Sequence, residues 1–202
     1  MTLKRIALIA SIALIATAGC AQQTPAPIGT PLPSLALLTL TGEKTDLSHY
    51  TGKQGTVVIF VSTQCPVSNA YNERMQEFFR AAVARGFGVV GINANRNEPA
   101  EEVTRHAKEH GLTFPILKDE DNRLADALGA SFTPETYVFD REGILRYHGR
   151  IDDSRDATKI SQRDLQVAVD ALASGKTVPT SETKAFGCTI KRVPRSDNKS
   201  GS

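Results

Sequence analysis

An unbroken run of β-branched and aromatic residues at positions 56–61 is the feature that most constrains the fold. A run without polar alternation is typical of a strand that is buried on both faces. Residues 87–92, which contain no charged or polar side chain, predict a second buried strand. Between them, apolar residues recur at helical spacing from Val67 to Ala82, and Gly86 ends the segment. This order predicts two parallel strands joined by a right-handed helical crossover.

The rest of the chain continues the alternation of strands and helices. We predict a helix from Pro99 to Gly111, a strand at 114–117, a short helix at 124–128 capped by Asp119 or Asp121, a hairpin of strands 136–139 and 144–147, and a last helix at 160–173. Parallel strands come first, and the hairpin then adds antiparallel strands to the same sheet. The predicted fold class is therefore α/β, a three-layer sandwich whose mixed central sheet is flanked by helices.

The beginning of the chain has the plan of an export signal. Two basic residues precede an apolar run at positions 6–16, and small residues follow it. The run is shorter than the ~20 residues that a spanning helix needs, and it fits a cleavable signal peptide over residues 1–19. The sequence Ala18-Gly19-Cys20 resembles the lipobox of bacterial lipoproteins, in which the cysteine is lipidated. The alternative is an ordinary secretory signal.

Composition divides the remaining chain into three parts. Residues 20–33 are rich in proline and predict an extended tether, and residues 34–176 carry the periodic segments of the folded domain. Residues 177–202 form a basic tail, which we expect to be solvated and frayed. The formal net charge of +2 gives no strong field of either sign, so no nucleic-acid partner is predicted.

Cys65 directly follows the first buried run and begins the first amphipathic helix. A helix N-terminus carries partial positive charge and free N–H donors, and both stabilise a thiolate. Its pKa should therefore lie below the ~8.5 of a free cysteine. Pro66 at the first helical turn fixes the helix start. A reactive nucleophile is the favoured interpretation, and an inert buried thiol is the alternative.

The motif Cys65-Pro66-Val67-Ser68, followed later by Thr133-Pro134-Glu135, resembles the thioredoxin superfamily. The similarity is greatest to peroxiredoxin-like redoxin proteins of the alkyl hydroperoxide reductase/thiol-specific antioxidant family. This resemblance implies a thioredoxin-like fold with a cis proline at Pro134 that faces Cys65. It also implies that Thr133 and Pro134 receive the backbone of a substrate.

Two departures from these relatives bear on the chemistry. Thioredoxins carry a second cysteine where this chain has Ser68, whose hydroxyl we expect to donate a hydrogen bond to the thiolate. Peroxiredoxins carry proline and threonine where this chain has Val58 and Ser62. The resemblance therefore favours disulfide exchange over peroxide reduction.

Cys188 lies in the tail, in a Gly-Cys-x-Ile-Lys segment that resembles the tail of the peroxiredoxin-like group. If Cys20 is lipidated, Cys65 and Cys188 are the two thiols left to form a disulfide in an oxidising compartment. Cys188 is then a resolving cysteine on a mobile tail. A static structural disulfide and a free tail thiol remain alternatives.

We therefore predict an exported, membrane-anchored thiol–disulfide oxidoreductase with Cys65 as nucleophile. It faces the periplasm, and the outer membrane is favoured. Its partners are protein thiols or disulfides, an external thiol reductant and, through the lipid on Cys20, the membrane; no cofactor and no metal are predicted. One alternative is an antioxidant thiol peroxidase, with Cys65 peroxidatic and Cys188 resolving. Another is a non-catalytic, thioredoxin-like binding lipoprotein.

Overall fold

The computed structural model describes residues 23–194, and a mixed sheet of seven strands runs through its centre. The strands are β1 (Ala36–Thr39), β2 (Lys44–Asp46), β3 (Gly55–Phe60), β4 (Phe87–Asn93), β5 (Ile116–Lys118), β7 (Glu135–Asp140) and β8 (Leu145–Gly149). Their order across the sheet is β2-β1-β5-β4-β3-β7-β8. β3, β4 and β5 are parallel, whereas the other pairs are antiparallel. This is the predicted mixed sheet.

Helices cover both faces of the sheet. They are α1 (Pro66–Asn69), α2 (Asn72–Ala84), α3 (Ala100–Glu109), α4 (Arg123–Leu128) and α5 (Asp164–Ala173). Side chains of β3 alternate between two buried clusters. Val57 and Ile59 pack with α2, α3 and α5, whereas Val58 and Phe60 pack with α4. Burial on both faces explains why β3 has no polar alternation.

Two helices differ from their predicted extents. The helix expected across residues 67–82 is interrupted at Tyr71, whose N–H bonds to Ser68 O in a tighter turn. The last helix begins at Asp164 rather than at residue 160. The segment before it is held by Asp153, whose carboxylate accepts the Ser161 N–H at 2.9 Å and so keeps that residue out of the helix.

The N-terminal segment 23–33 packs on the domain, although the sequence predicted a tether there. The N–H groups of Ala26, Gly29 and Leu32 donate to Leu128 O, Leu145 O and Gly143 O at 2.7–2.9 Å. Because these three residues are not prolines, the proline-rich segment keeps the donors that it needs to dock. Residues 20–22 lie outside the described range, as does the signal peptide.

The tail also differs from its prediction, because the described part of it is docked rather than solvated and frayed. Thr183 N donates to His148 O at 3.1 Å, and Ile190 N donates to Ser131 O at 3.0 Å. Ile190 is buried, and it completes the cluster on the α4 side of the sheet. Two anchored stretches therefore flank Cys188. The predicted tail residues 195–202 lie beyond the described range.

The tail also supplies a short strand that the sequence did not predict. β9 (Cys188–Thr189) pairs antiparallel with β6 (Phe132–Thr133) in a separate two-stranded sheet.

None of the helices in residues 23–194 has the length and apolar character to cross a membrane.

Asp119 caps α4, which resolves the choice between the two predicted caps. Its carboxylate accepts the N–H groups of Leu124 at 3.2 Å and Ala125 at 2.9 Å. Asp119 is buried, whereas Asp121 is exposed. Among the described residues, the side-chain acceptor of the Leu124 and Ala125 N–H groups is Asp119 and not Asp121.

We expect Asp119→Ala to lower the free energy of unfolding by about 1–3 kcal/mol, because it leaves two buried N–H groups without an acceptor. Asp121→Ala, the matched control, should change it by less than about 0.5 kcal/mol. Urea unfolding of both variants measures the difference. Equal losses would contradict the assignment of Asp119 as the cap.

Candidate active site

Cys65 lies where the chain leaves β3 and enters α1, as the sequence predicted. It occupies the N-cap position of α1, and its sulfur accepts the Ser68 N–H at 3.3 Å. The sulfur thus takes the place of the oxygen that usually caps a helix. Pro66 stands at the first helical position, where its missing N–H costs nothing. The residue is only 1% exposed.

Ser68 contacts Cys65 through its main chain rather than through its hydroxyl. The Ser68 hydroxyl instead accepts the Ser62 N–H at 3.2 Å, and the side chain is fully buried. It therefore ties the end of β3 to α1. The expected donor to the thiolate is thus present at Ser68, but the donating atom is the backbone nitrogen.

Thr133 and Pro134 face Cys65 from the other side. The Thr133–Pro134 peptide bond is cis, which confirms that prediction. The neutral Cys65 thiol donates to Thr133 O at 3.2 Å. Glu135 supports this turn from behind, since its carboxylate accepts the N–H groups of Ser131 at 2.7 Å and Phe132 at 2.9 Å.

Cys188 comes to the same place through the pairing of β6 with β9. In that ladder Cys188 lies directly opposite Thr133, whose carbonyl contacts Cys65. Both cysteines are free thiols. The tertiary structure therefore brings together all five predicted residues of this centre: Cys65, Ser68, Thr133, Pro134 and Cys188.

The two thiols shift each other's ionisation in opposite directions. Burial is the largest influence on Cys65 and opposes its thiolate. Hydrogen bonds from the Cys188 thiol, the Ser68 N–H and the Thr133 side chain together outweigh burial, so the pKa of Cys65 lies below its ordinary value. Burial, together with the hydrogen bond to Cys65, raises the pKa of the Cys188 thiol. The first negative charge of the pair therefore settles on Cys65.

A buried carboxylate that the sequence analysis did not single out holds the loop before Cys65. Glu98, in the loop between β4 and α3, accepts Ser62 Oγ at 2.5 Å and Thr63 N at 2.9 Å. Lys118 lies behind it, with its Nζ 2.6 Å from Glu98 O. The carboxyl ends of parallel strands meet at one edge of a sheet. Cys65 follows β3 and Glu98 follows the neighbouring parallel strand β4, so their loops lie at the same edge. The polar residues after β4 could therefore have indicated this contact from the sequence.

Gly187 permits the close approach of β9 to β6. A Cβ atom at this position would lie 2.0 Å from Thr133 O, and the φ angle is +152°. Both facts require glycine immediately before Cys188. On the same side, Phe186 packs against the edge of Tyr71 with their ring centroids 6.4 Å apart. The tail strand β9 thus pairs with the backbone of Thr133, which the sequence predicted would bind the backbone of a substrate.

Comparisons with known proteins relate this chain to thiol enzymes. Residues 28–148 match the model of the AhpC/TSA family. A curated relative, the thiol-disulfide oxidoreductase ResA of Geobacillus thermodenitrificans, is 29% identical over 125 residues. The match covers 62% of this chain and 70% of that protein.

Solved structures extend the similarity beyond that match. A hypothetical protein from Sinorhizobium meliloti superposes with a TM-score of 0.78 at 33% identity, covering 85% of this chain and 98% of that one. A putative thiol:disulfide interchange protein DsbE from Chlorobium tepidum gives a TM-score of 0.53 at 20% identity, covering 60% of this chain and 84% of that one. The second likeness shows a shared thioredoxin-like fold.

We expect Gly187→Ala to release β9 from β6, because the added Cβ cannot fit against Thr133 O. In a Cys188→Ser background, the rate at which Cys65 reacts with a chromogenic disulfide reagent should rise about tenfold, the effect of ~1.4 kcal/mol on the open population. Thr189→Ala, an exposed change on the same strand, is the control and should leave the rate unchanged. Equal rates for the two variants would mean that β9 does not shield Cys65.

Proposed function

This chain belongs to the AhpC/TSA family of the thioredoxin superfamily, and we propose that it is a thiol–disulfide oxidoreductase whose redox pair is Cys65 and Cys188. The observation that carries the proposal is the pairing of β6 with β9, which sets Cys188 opposite Thr133, whose carbonyl accepts the Cys65 thiol at 3.2 Å. The usual second cysteine of a thioredoxin motif is replaced by Ser68, and β9 supplies a thiol from the tail instead. The names of the curated relatives support the same reaction class.

The reaction begins at Cys65, which carries the thiolate of the pair. Its sulfur attacks one sulfur of a substrate disulfide, a mixed disulfide forms, and the other substrate sulfur leaves as a thiolate that takes up a proton. The Ser68 N–H and the start of α1 stabilise the attacking thiolate. Substrate backbone is held at Thr133 and Pro134 once β9 has moved away from β6.

Cys188 then resolves the mixed disulfide. Once Cys65 is covalently bound, its negative charge no longer opposes ionisation of Cys188, and the pKa of Cys188 falls back towards its ordinary value. The Cys188 thiolate attacks Cys65 Sγ, the second substrate thiol leaves, and a Cys65–Cys188 disulfide remains. Two thiols of the protein are oxidised and one substrate disulfide is reduced. An external thiol reductant restores the pair.

A second candidate, thiol peroxidase activity, is favoured by the burial of Cys65. A peroxide is small enough to reach a sulfur that a protein disulfide cannot reach while β9 is docked. Cys65 would take one peroxide oxygen as a sulfenic acid and release an alcohol or water. Cys188 would then form the disulfide and release a second water. In residues 23–194 no guanidinium is among the hydrogen-bond partners of the Cys65 sulfur, which favours exchange.

The test compares three proteins: the wild type, the Cys65→Ser variant and the Cys188→Ser variant. Each is exposed to oxidised glutathione or to hydrogen peroxide. Intact mass under non-reducing conditions should show an internal disulfide in wild type and a stable Cys65–glutathione adduct in Cys188→Ser. Cys65→Ser should react at least about tenfold more slowly, because burial still opposes the Cys188 thiolate and Cys188 lies on a strand rather than at a helix N-terminus.

The outcomes separate the candidate functions. Rapid oxidation by low peroxide with slow reaction towards glutathione would support the peroxidase. Adducts on Cys188 in Cys65→Ser, with none on Cys65 in Cys188→Ser, would contradict Cys65 as nucleophile. If neither oxidised glutathione nor peroxide reacts with the protein, the remaining candidate is the non-catalytic, thioredoxin-like binding lipoprotein.

The signal-like first residues support export and lipidation of Cys20, with the domain on the periplasmic side and outer-membrane sorting. Packing of residues 23–33 against the domain leaves residues 20–22 as the connection, a span of ~10 Å. The domain boundary is then close to residue 23, and the domain lies directly beside the bilayer. Its proposed partners are a protein disulfide, an external thiol reductant and the membrane.

Cys20→Ser should abolish lipid labelling and move the protein from the membrane fraction to the soluble fraction, since the proposed anchor is the acyl chains on that cysteine. Fractionation after labelling with a fatty-acid analogue measures both effects. Cys188→Ser, which leaves Cys20 intact, is the control and should remain labelled. A Cys20→Ser protein that keeps its label and its membrane location would refute lipidation.

A further inference from the structure

We propose that the end of β4 and the loop that follows it, residues 93–98, set the separation of the two thiols by holding the Cys65 loop at one end and the Cys188 strand at the other. The proposal rests on the proposed Cys65–Cys188 pair and names the residues that position it. Glu98 is the positioning residue for Cys65, and Asn95 is the positioning residue for Cys188.

Glu98 holds residues 62–64, which lead directly into Cys65. Its carboxylate accepts Ser62 Oγ at 2.5 Å, Thr63 N at 2.9 Å and Gln64 N at 3.3 Å. Asn93 Nδ2 donates to the same carboxylate at 2.5 Å. These contacts use both oxygens of a side chain that is 2% exposed. A carboxylate accepts all four bonds, whereas an amide cannot, because its nitrogen is a donor.

Lys118, the last residue of β5, lies near the charge of Glu98 and binds the same loop. Lys118 Nζ donates to Asn93 Oδ1 at 2.6 Å, to Asn95 O at 3.2 Å and to Glu98 O at 2.6 Å. Burial is the main reason that the pKa of Lys118 is lowered, and the nearby Glu98 charge opposes that shift. The lysine thus binds three points of one loop and keeps Glu98 aimed at the residues before Cys65.

The other side of the loop holds the tail immediately after β9. Lys191 N donates to Asn95 Oδ1 at 2.7 Å, and Arg96 N donates to Lys191 O at 2.9 Å. This two-way contact fixes the backbone three residues after Cys188. Asn95 is buried, and within the described chain its Nδ2 has no hydrogen-bond partner. The tail contact is therefore the bond through which its side chain acts.

Disulfide formation makes this positioning consequential. A disulfide requires a narrow range of Cα separation and of side-chain direction, so a small displacement of either cysteine lowers the stability of the bond. Residue 93 ends β4, which lies in the middle of the sheet, and residues 94–98 follow directly from it. Both cysteine-bearing segments are therefore held, through residues 93–98, by the same central strand, β4.

The first test replaces Glu98 with Gln or Asp and compares both with Glu101→Gln, an exposed acid in the first turn of α3. In Glu98→Gln we expect the equilibrium constant for the Cys65–Cys188 disulfide against glutathione to fall roughly tenfold. The Cys65 pKa, taken from the pH dependence of its alkylation in a Cys188→Ser background, should rise. Loss of a buried negative charge alone would lower that pKa.

Glu98→Asp keeps the charge but shortens the side chain, so it should show the same fall in the equilibrium constant. Glu101→Gln should change neither quantity. Near-ultraviolet circular dichroism shows whether each variant is folded. A folded Glu98→Gln protein with a lowered Cys65 pKa and an unchanged disulfide constant would overturn the role of Glu98 as a positioning residue.

The second test separates the two ends of the loop. Asn95→Ala should lower the disulfide constant several-fold while leaving the Cys65 pKa unchanged in the Cys188→Ser background. Arg96→Ala is its control, because Arg96 contacts the tail through its main chain. If the disulfide equilibrium constant is unchanged in both Asn95→Ala and Glu98→Gln, the positioning role of residues 93–98 is overturned, but the Cys65–Cys188 pair is not. A wild-type protein that forms no disulfide between Cys65 and Cys188 would overturn the proposed pair itself.

Discussion

The antiparallel pairing of β6 with β9 is the contact on which the proposed chemistry of this domain depends. It sets Cys188 opposite Thr133, while the carbonyl of Thr133 accepts the Cys65 thiol. One residue thus touches both cysteines. Without this ladder Cys188 would lie on a loop, and Cys65 would be a single exposed thiol with no partner three residues on. With it, the domain has a dithiol centre built from the two ends of its fold.

A buried polar layer lies behind that centre, and it is stable because each charge in it is partnered. An isolated carboxylate or ammonium group in a protein interior costs several kcal/mol. Glu98 avoids this cost by accepting N–H and O–H groups from residues 62–64, and Lys118 avoids it by donating to three oxygens. Removal of one partner leaves the other buried and unpaired. The layer therefore tolerates little change in geometry.

The two ends of the described chain meet on the α4 side of the domain. Gln23 Nε2 and Arg192 Nε both donate to Asp126 Oδ1, at 3.1 Å and 3.0 Å. Arg192 also donates to Ala130 O at 2.5 Å. The segment before β1 and the segment after β9 are thus held by one side chain. The anchored tail explains how Cys188 stays beside Cys65 without a disulfide.

The sequence by itself determined the frame of the site. The apolar run of β3 and the helical spacing after it predicted a buried strand and a cysteine at a helix start, and the resemblance to the thioredoxin superfamily implied the cis bond before Pro134. These features are local, because periodicity and turn chemistry are read over a few residues. The tertiary structure decided what is not local: that the tail docks, that Ser68 donates through its backbone, and that Glu98 holds the Cys65 loop. Those contacts depend on which strand edges and buried donors remain unpaired after the sheet has formed, and no spacing within the chain records that.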